Sequence, residues 1–288
     1  MMSRQTKILT TLTLLLLMLF LRETAPSACA QIMPVKNQQS FVDSLRHEMD
    51  KKPYFGIYKD NYFTVGGPIG QKPNRKNCDV KFQISVAQRL TKSTLPFNTY
   101  LFLMYTQRVM WNVFEKSMPM RDLNFNPGIG LSKMLFNKDR YVGKLTLMIE
   151  HESNGRDSTA SRSWNRITFG ASVMVDEWLT IHGKAWIPIV DGEHNRDILK
   201  YCGIWQSGIQ ITSPNKRFWA DIVMVKRQGW NLNFNTILQV AWRLHPNHNQ
   251  YLFAQYYNGY GENLLDYNQF RSRLRVGIVI KPTLFSEF

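Results

Sequence analysis

The amino-acid sequence predicts an all-β protein, a twelve-stranded antiparallel transmembrane β-barrel. Three observations predict this fold: an export signal at the amino terminus, no second long apolar run, and repeated segments in which apolar and polar residues alternate. A membrane-spanning helix needs about 20 consecutive apolar residues, and none follows the export signal. If such a chain crosses a membrane, it must do so as a closed barrel, because every backbone polar group in lipid needs a partner within the protein.

Residues 1–30 have the pattern of a signal peptide. Arg4 and Lys7 form a basic start, residues 9–21 are leucine-rich but too short to span a membrane, and residues 28–30 fit a small-residue cleavage site. The mature chain is therefore expected to begin directly after this segment.

Residues 31–53 are polar, and Phe41, Leu45 and Met49 recur at helical spacing. This spacing is compatible with a short amphipathic helix. We expect the segment to be a periplasmic lead-in to a barrel that covers residues 54–288.

The three cysteines do not form a disulfide framework. Cys29 falls at the predicted cleavage site, and an alternative interpretation makes it a lipidated residue, which the preceding Pro26 and Ser27 disfavour. Cys78 and Cys202 remain in the mature chain, and the sequence leaves open whether they pair.

The net charge of +15 would by itself allow a nucleic-acid-binding protein. The export signal argues against that class. Basic side chains on an exported barrel are better explained by acidic lipid head groups, a polar lumen and solvated loops.

From residue 54 onward, segments of about ten residues alternate in polarity between turn signals, as membrane barrel strands do. In the last segment, for example, Leu274, Val276 and Ile278 alternate with Arg273 and Arg275. One apolar exterior and one polar interior account for all these segments. The twelve predicted strands span residues 54–65, 79–90, 98–109, 122–135, 140–153, 163–175, 178–188, 198–212, 216–227, 230–243, 250–258 and 270–281.

The lengths of the links between these strands predict one rim with short turns and one rim with longer loops. An even strand number returns both termini to one side, which in bacterial barrels is the periplasm. The longer links then lie at the outer surface, and residues 154–162 are one of them.

The hairpin around that link contains the candidate catalytic residues His151, Ser153 and Asn165. If it turns symmetrically about Ser158, His151 lies opposite Asn165, and Ser153 lies opposite Ser163. His151 and Ser153 are two residues apart on one strand, so they share a face. In an acyl transfer, Ser153 would be the nucleophile and His151 the general base and acid. Asn165 would orient the imidazole.

The same spacing places the three residues on the apolar, lipid-facing side. His151 and Ser153 continue the alternate positions Leu147 and Ile149, and Asn165 continues into Ile167 and Phe169. Polar residues there are costly unless they serve a function. An acyl ester lying in the outer leaflet could meet them without leaving the membrane. The alternative interpretation is a chance His-x-Ser pair at the edge of a loop.

At this point the residues resemble a known family. Residues 151–156, His-Glu-Ser-Asn-Gly-Arg, and residues 161–166, Ser-Arg-Ser-Trp-Asn-Arg, are similar to the motifs of the outer-membrane phospholipase A family. That family has His-Asp-Ser-Asn-Gly-Arg followed by Ser-Arg-Ser-Trp-Asn-Arg. Residues 121–127 and 259–268 resemble further family segments, and the similarity covers roughly residues 54–288.

The resemblance implies a barrel that hydrolyses both acyl esters of glycerophospholipids, as a phospholipase A1 and A2 and lysophospholipase of the outer membrane. It implies His151, Ser153 and Asn165 as the catalytic residues.

The resemblance also implies calcium dependence and activation by homodimerisation. The implied calcium ligands are the Arg156 carbonyl, the Ser161 hydroxyl and the Ser117 carbonyl of a second subunit. Oxygen ligands of this kind suit a hard cation. Gln107 matches a family residue that lines the interior near the interface.

The chain departs from the family pattern over residues 157–160, where its acidic residue, Asp157, stands one place earlier. Two rival hypotheses remain at this stage. One is a non-enzymatic barrel, a pore or an adhesin, and the other keeps the chemistry but deacylates lipopolysaccharide.

Overall fold

The computed structural model describes residues 38–52, 54–137, 140–190 and 193–282. The predicted signal peptide and the first part of the lead-in lie outside these residues. Helix α1 covers Gln38–Lys51, within the segment whose spacing is compatible with a short helix. A second short helix, α2, covers Leu199–Cys202. Within the described part of the chain, neither helix has the length and apolar character that a membrane span requires.

Antiparallel β-strands make up most of the rest of the described chain. They are β1 (Phe55–Ile57), β2 (Asn61–Pro68), β3 (Asp79–Arg89), β4 (Thr99–Trp111), β5 (Met120–Asn137), β6 (Arg140–Ser153), β7 (Ser163–Met174), β8 (Leu179–Ile189), β9 (Trp205–Thr212), β10 (Phe218–Lys226), β11 (Phe234–Arg243), β12 (Gln250–Gly259) and β13 (Arg271–Ile280).

The strands close into a twelve-position antiparallel barrel. β1 and β2 pair with successive parts of β3, so together they fill one position in the wall. From β3 to β13 each strand pairs with the next, and β13 returns to β2, where Val65 lies opposite Val276. The predicted fold class is thereby confirmed.

The barrel is apolar outside and polar inside. On β13, Leu274, Val276 and Ile278 are each about half exposed, whereas Arg275 is 1% exposed. A soluble β-sheet protein has the opposite arrangement, since it buries the apolar face. An exposed apolar band around a polar interior is the signature of a barrel whose outside faces lipid.

A network of charged side chains fills one part of the interior. Arg275 donates from Nε to Asp79 Oδ1 at 2.8 Å and from Nη1 to Glu262 Oε1 at 2.6 Å. Lys81 Nζ lies 3.2 Å from the same Glu262 oxygen. Burial opposes the charge on Glu262, but Lys81 and Arg275 outweigh it and lower its pKa to about 2. The interior therefore contains paired ions, the form in which buried charge is tolerated.

Glu262 belongs to the loop between β12 and β13, residues 260–270, which enters the barrel. Leu264 and Tyr267 of this loop are almost fully buried and pack against Trp164 and Ile198. The backbone amide of Leu264 donates to Asn124 Oδ1 on β5 at 3.2 Å. Because these partners face the lumen from several strands, the loop fills the interior at the rim where β6 ends.

At the opposite rim, Arg89 fixes the end of α1. Its guanidinium donates to the carbonyls of Met49, Asp50 and Lys52 at 2.7 to 3.1 Å. It also stacks on Tyr54, 4.6 Å from the ring centroid. A cation at the carboxyl end of a helix satisfies carbonyls that have no partner within the helix.

Two predicted strands begin later than expected. The strand predicted from residue 198 starts at Trp205, because Ile198 is fully buried beneath the 260–270 loop and α2 follows it. The strand predicted from residue 230 starts at Phe234. There the Lys226 ammonium binds the Gly229 carbonyl and Asn233 Oδ1, both at 2.7 Å, and so closes a compact turn. At Ile198 a long-range contact replaces the strand pattern, and at Lys226 a local turn contact does so.

The cysteines of the described chain, Cys78 and Cys202, are both free thiols in the structure. Cys29 lies outside the described residues.

Replacing Arg275 with methionine tests the interior ion network. The change leaves Asp79 and Glu262 with one cation fewer in a buried site, so we expect the free energy of unfolding to fall by about 3–5 kcal/mol. Equilibrium urea unfolding of the refolded barrel measures this loss. The matched control is Arg140→Met, since Arg140 pairs with Glu177 at an exposed position, where the expected loss is below about 1 kcal/mol. Equal losses in the two variants would contradict the role of the network.

Candidate active site

The β6–β7 hairpin has the register that the sequence predicted. His151 lies directly opposite Asn165, and Ser153 lies directly opposite Ser163. The predicted symmetry about Ser158 is therefore present, and it brings His151 and Asn165 into direct contact.

His151 and Asn165 form a hydrogen bond across this pair. His151 Nδ1 and Asn165 Oδ1 are 2.7 Å apart. An amide oxygen can only accept, so Nδ1 carries the proton and Nε2 keeps a free lone pair. The His151 carbonyl accepts a further bond from Asn126 Nδ2 at 2.9 Å, which ties this part of β6 to β5. The imidazole is thus held in the tautomer that a general base needs.

All three candidate residues face outward, as predicted. Their neighbours on the outer face include Ile149, Ile187 and Ile189, each more than half exposed. Ile189 pairs directly with Asn165. Three partly exposed polar groups therefore lie at the edge of an otherwise apolar, lipid-facing surface.

The inward-facing residues of the same two strands form ion pairs directly behind the site. Arg166 Nε lies 3.0 Å from Glu150 Oε2, and Arg166 Nη1 lies 2.9 Å from Glu152 Oε2. Glu152 also accepts from the Trp164 indole at 3.2 Å, and Glu150 accepts from Thr168 at 2.5 Å. These contacts join β6 to β7 through side chains and fix the register that places His151 opposite Asn165.

Asn154 organises the loop that follows Ser153. Its side chain is 2% exposed, donates to the Ala160 carbonyl at 2.9 Å, and accepts from the Arg162 amide at 3.0 Å. The chain turns at Gly155, whose φ of +61° favours glycine. A Cβ there would lie 2.8 Å from the Phe125 ring, so the turn packs closely on β5.

The next part of the loop is a short 3₁₀ turn over Ser158–Ala160. Asp157 precedes this turn and is exposed. This is the segment that departs from the family pattern.

The residues suggested as calcium ligands lie on two loops. Arg156 and Ser161 share the active-site loop, whereas Ser117 is exposed on the loop between β4 and β5. Within the described residues, the Arg156 carbonyl and the Ser161 hydroxyl accept no hydrogen bond, so both oxygens remain available to a cation. The described chain holds no cluster of three or more His, Cys, Asp or Glu side chains suited to a metal. The available donors are neutral oxygens, which are compatible with calcium.

Gln107 differs from its expected placement. Its neighbours in β4, Thr106 and Arg108, bond to Ser85 and to the Glu262 carbonyl inside the barrel. Gln107 therefore has the opposite parity and lies on the outer face, where its Oε1 accepts from the Tyr105 hydroxyl at 3.2 Å.

The sequence did not identify the residues that support the site. Asn195 is fully buried; its amide nitrogen donates to the backbone carbonyl of Ser163 at 2.8 Å, and its amide oxygen accepts from the backbone amide of Ser163 at 3.2 Å. It belongs to a loop 32 residues away, so no local pattern indicates the contact. The alternation along β6 and β7 places three charged residues on the inner face, namely Glu150, Glu152 and Arg166. This shared face was the available signal that they could form ion pairs.

Comparison with known proteins gives one consistent result. The family model described as Phospholipase A1 matches residues 55–280. A Phospholipase A1 of Proteus vulgaris is 30% identical over 260 residues, which cover 84% of this chain and 86% of that protein.

Two solved structures are similar in fold and in sequence. The Salmonella typhi outer membrane phospholipase, described as a dimer with bound calcium, is 25% identical with a TM-score of 0.70, over 85% of this chain and 99% of that one. An active site mutant of Escherichia coli outer membrane phospholipase A, in which an asparagine is replaced by alanine, is 26% identical with a TM-score of 0.69, over 84% and 97% of the two chains. The chain belongs to the phospholipase A1 family, and it is a phospholipase with the outer-membrane barrel fold of that family.

Proposed function

We propose that the chain hydrolyses the sn-1 and sn-2 acyl esters of glycerophospholipids, and the remaining ester of lysophospholipids, by a Ser-His-Asn mechanism. Ser153 is the nucleophile, His151 the general base and acid, and Asn165 orients His151. The observation that carries the proposal is the 2.7 Å hydrogen bond between His151 and Asn165, on the outer face and two residues from Ser153. A non-enzymatic pore or adhesin is set aside, because the chain belongs to a family of enzymes.

The reaction takes place in two steps. Ser153 Oγ attacks the ester carbonyl carbon while its proton passes to His151 Nε2, and the tetrahedral intermediate then expels the lysophospholipid oxygen, which takes that proton. The acyl group remains on Ser153. Water attacks this acyl-enzyme with His151 again as the base, and the fatty acid leaves as Ser153 regains its proton.

Asn165 differs from the aspartate of a serine-protease triad in one respect. Its amide oxygen fixes the orientation of His151 but carries no charge to stabilise the imidazolium that forms during attack. The comparison supports the assignment, since an asparagine replacement in the E. coli enzyme is described as an active site mutant.

Alanine substitutions test the three roles. Ser153→Ala is expected to lower kcat by about 10³-fold or more, because no acyl-enzyme can form. Asn165→Ala is expected to lower it by about 10²-fold, since only the orientation of His151 is lost. Free fatty acid released from phospholipid–detergent micelles by the refolded barrel measures both. Ser163→Ala, opposite Ser153, is the matched control and should retain the wild-type rate. A folded Ser153→Ala barrel with undiminished hydrolysis would refute the assignment.

We further propose that calcium supports the reaction. Arg156 would contribute its carbonyl, Ser161 its hydroxyl and Ser117 of the partner subunit its carbonyl. A bound cation of this kind would stabilise the negative charge that develops on the ester oxygen. The S. typhi relative, described as a dimer with bound calcium, supports this proposal.

A homodimer follows from the same proposal. Two oxygens on one loop fall short of the six to eight ligands that calcium takes, so a second copy and water must supply the rest. Gln107 and Tyr105 add support, because their polar groups lie on the outer face. Burial of these groups against a second barrel would remove them from lipid.

Removal of calcium is expected to lower hydrolysis by about 10²-fold or more, the usual effect of losing an oxyanion partner. The measurement compares fatty acid release with excess calcium, with a chelator, and after calcium is restored. Chemical cross-linking of the same samples should show a dimer that depends on calcium. Hydrolysis that is unaffected by the chelator would contradict the calcium role while leaving the triad untouched.

The protein is located in the outer membrane. We propose in addition that residues 1–30 are removed on export, that residues 31–53 are periplasmic, and that the barrel domain continues to residue 288. In this orientation the loop of residues 154–162 is extracellular, and the site faces the outer leaflet.

Surface labelling tests the orientation. In a background with Cys78 and Cys202 replaced by serine, Ser158→Cys should react with a membrane-impermeant maleimide on intact cells, because residue 158 is exposed on the active-site rim. Asn215→Cys, exposed on the opposite rim, should react only after the cells are broken. The reverse pattern would place the site at the periplasmic side.

A further inference from the structure

We infer that Asp122 is a positioning residue for the proposed calcium site, through the side chain of Arg156. Arg156 has two parts with opposite effects on calcium binding. Its carbonyl is a proposed ligand, while its guanidinium is a positive charge close to a cation site. This inference rests on the proposed calcium role, and it assigns a function to a buried carboxylate outside the triad.

Asp122 lies at the start of β5 and is 1% exposed. Its Oδ2 accepts from Asn124 Nδ2 at 2.6 Å and from the Leu265 amide at 2.9 Å. Its other oxygen, Oδ1, receives no hydrogen bond from the described residues. Arg156 Nε lies 3.9 Å from that oxygen, so the guanidinium faces the part of the carboxylate that is not otherwise occupied.

A second contact holds the same guanidinium. Arg156 Nη2 donates to the carbonyl of Arg121, the residue before Asp122. Arg121 in turn donates from Nε to Asp266 Oδ2 at 2.7 Å. Asp266 belongs to the loop of residues 260–270 that fills the lumen. The edge of β5 that receives the Arg156 side chain is therefore fixed by the interior of the barrel.

The backbone of Arg156 has little support of its own. Its amide makes one long hydrogen bond, 3.4 Å to Asn154 Oδ1, and it follows the left-handed turn at Gly155. The side-chain contacts with β5 are thus the main restraint on the direction of the Arg156 carbonyl. A carbonyl that rotates away from the site cannot serve as a ligand.

The negative charge of Asp122 favours calcium binding, as does its effect on the position of the Arg156 carbonyl. The three proposed ligands are neutral oxygens, so they bring no negative charge to the cation. A guanidinium released from Asp122 would add uncompensated positive charge beside it. Asp122 therefore both directs the Arg156 carbonyl and offsets the Arg156 charge, and either effect strengthens calcium binding.

The test is a calcium titration of the refolded full chain by calorimetry, with wild type, Asp122→Asn, Arg156→Ala and the double variant. Loss of a residue that orients a metal ligand typically weakens binding about 10- to 100-fold, so Asp122→Asn should raise the calcium Kd by about tenfold or more. Arg156→Ala loses the same restraint but also removes the positive charge, so its Kd should rise by less. Arg156→Ala retains the carbonyl and changes a partly exposed side chain, so it remains informative if Asp122→Asn fails to fold. Asp60→Asn, which breaks the Lys281 ion pair at the opposite rim, is the matched control and should bind calcium as wild type does.

The double variant decides whether the two residues act together. If Asp122 works through Arg156, Asp122→Asn has no further effect once Arg156 is alanine, and the double variant binds calcium as Arg156→Ala does. Effects that multiply, or an Arg156→Ala protein with wild-type affinity, would overturn the inference while the calcium role stands. A wild-type chain that binds no calcium would overturn both.

Discussion

The register between β6 and β7 is the constraint on which the rest of the site depends. A shift of one residue would turn His151 and Ser153 into the lumen and separate them from Asn165. The ion pairs of Arg166 with Glu150 and Glu152 form only when these strands keep their observed alignment. Buried charges inside the barrel thus set the geometry of polar groups outside it. The His151–Asn165 hydrogen bond then adds one more contact that only this register allows.

The polar interior serves as the core of this protein. In the lumen, the 260–270 loop supplies Glu262 to cations from β3 and β13, and Leu264 to an apolar cluster with Trp164. These contacts link strands that are far apart around the wall. The active-site loop at this rim is held by Asn154, which bonds the Ala160 carbonyl within the loop, and by Gly155, which packs closely on Phe125 of β5. Within one barrel, preorganisation of this kind extends to His151 and Asn165.

The sequence was sufficient for whatever depends on spacing. Alternation predicted the faces of the strands, and the symmetry of one hairpin predicted which residues oppose His151 and Ser153. Prediction from spacing failed where a distant contact decides the local structure. Ile198, for example, is buried by a loop some 60 residues further along the chain, and strand alternation carries no information about a contact at that separation. Asn195 and Asp122 were missed for the same reason. The outward placement of Gln107 follows from its parity relative to Thr106, which a motif comparison does not use.

The two halves of the proposed mechanism differ in how complete they are within one chain. A single barrel already contains His151 bonded to Asn165, so the orientation of the proposed general base is preformed. The cation part is not, because one loop contributes only the neutral oxygens of Arg156 and Ser161. An enzyme embedded in a layer of potential substrate needs a restraint on its activity. In the proposed scheme that restraint is the missing oxyanion partner, which a second barrel and a cation must complete. Hydrolysis would then depend on the encounter of two barrels, and thus on the density of the protein in the membrane.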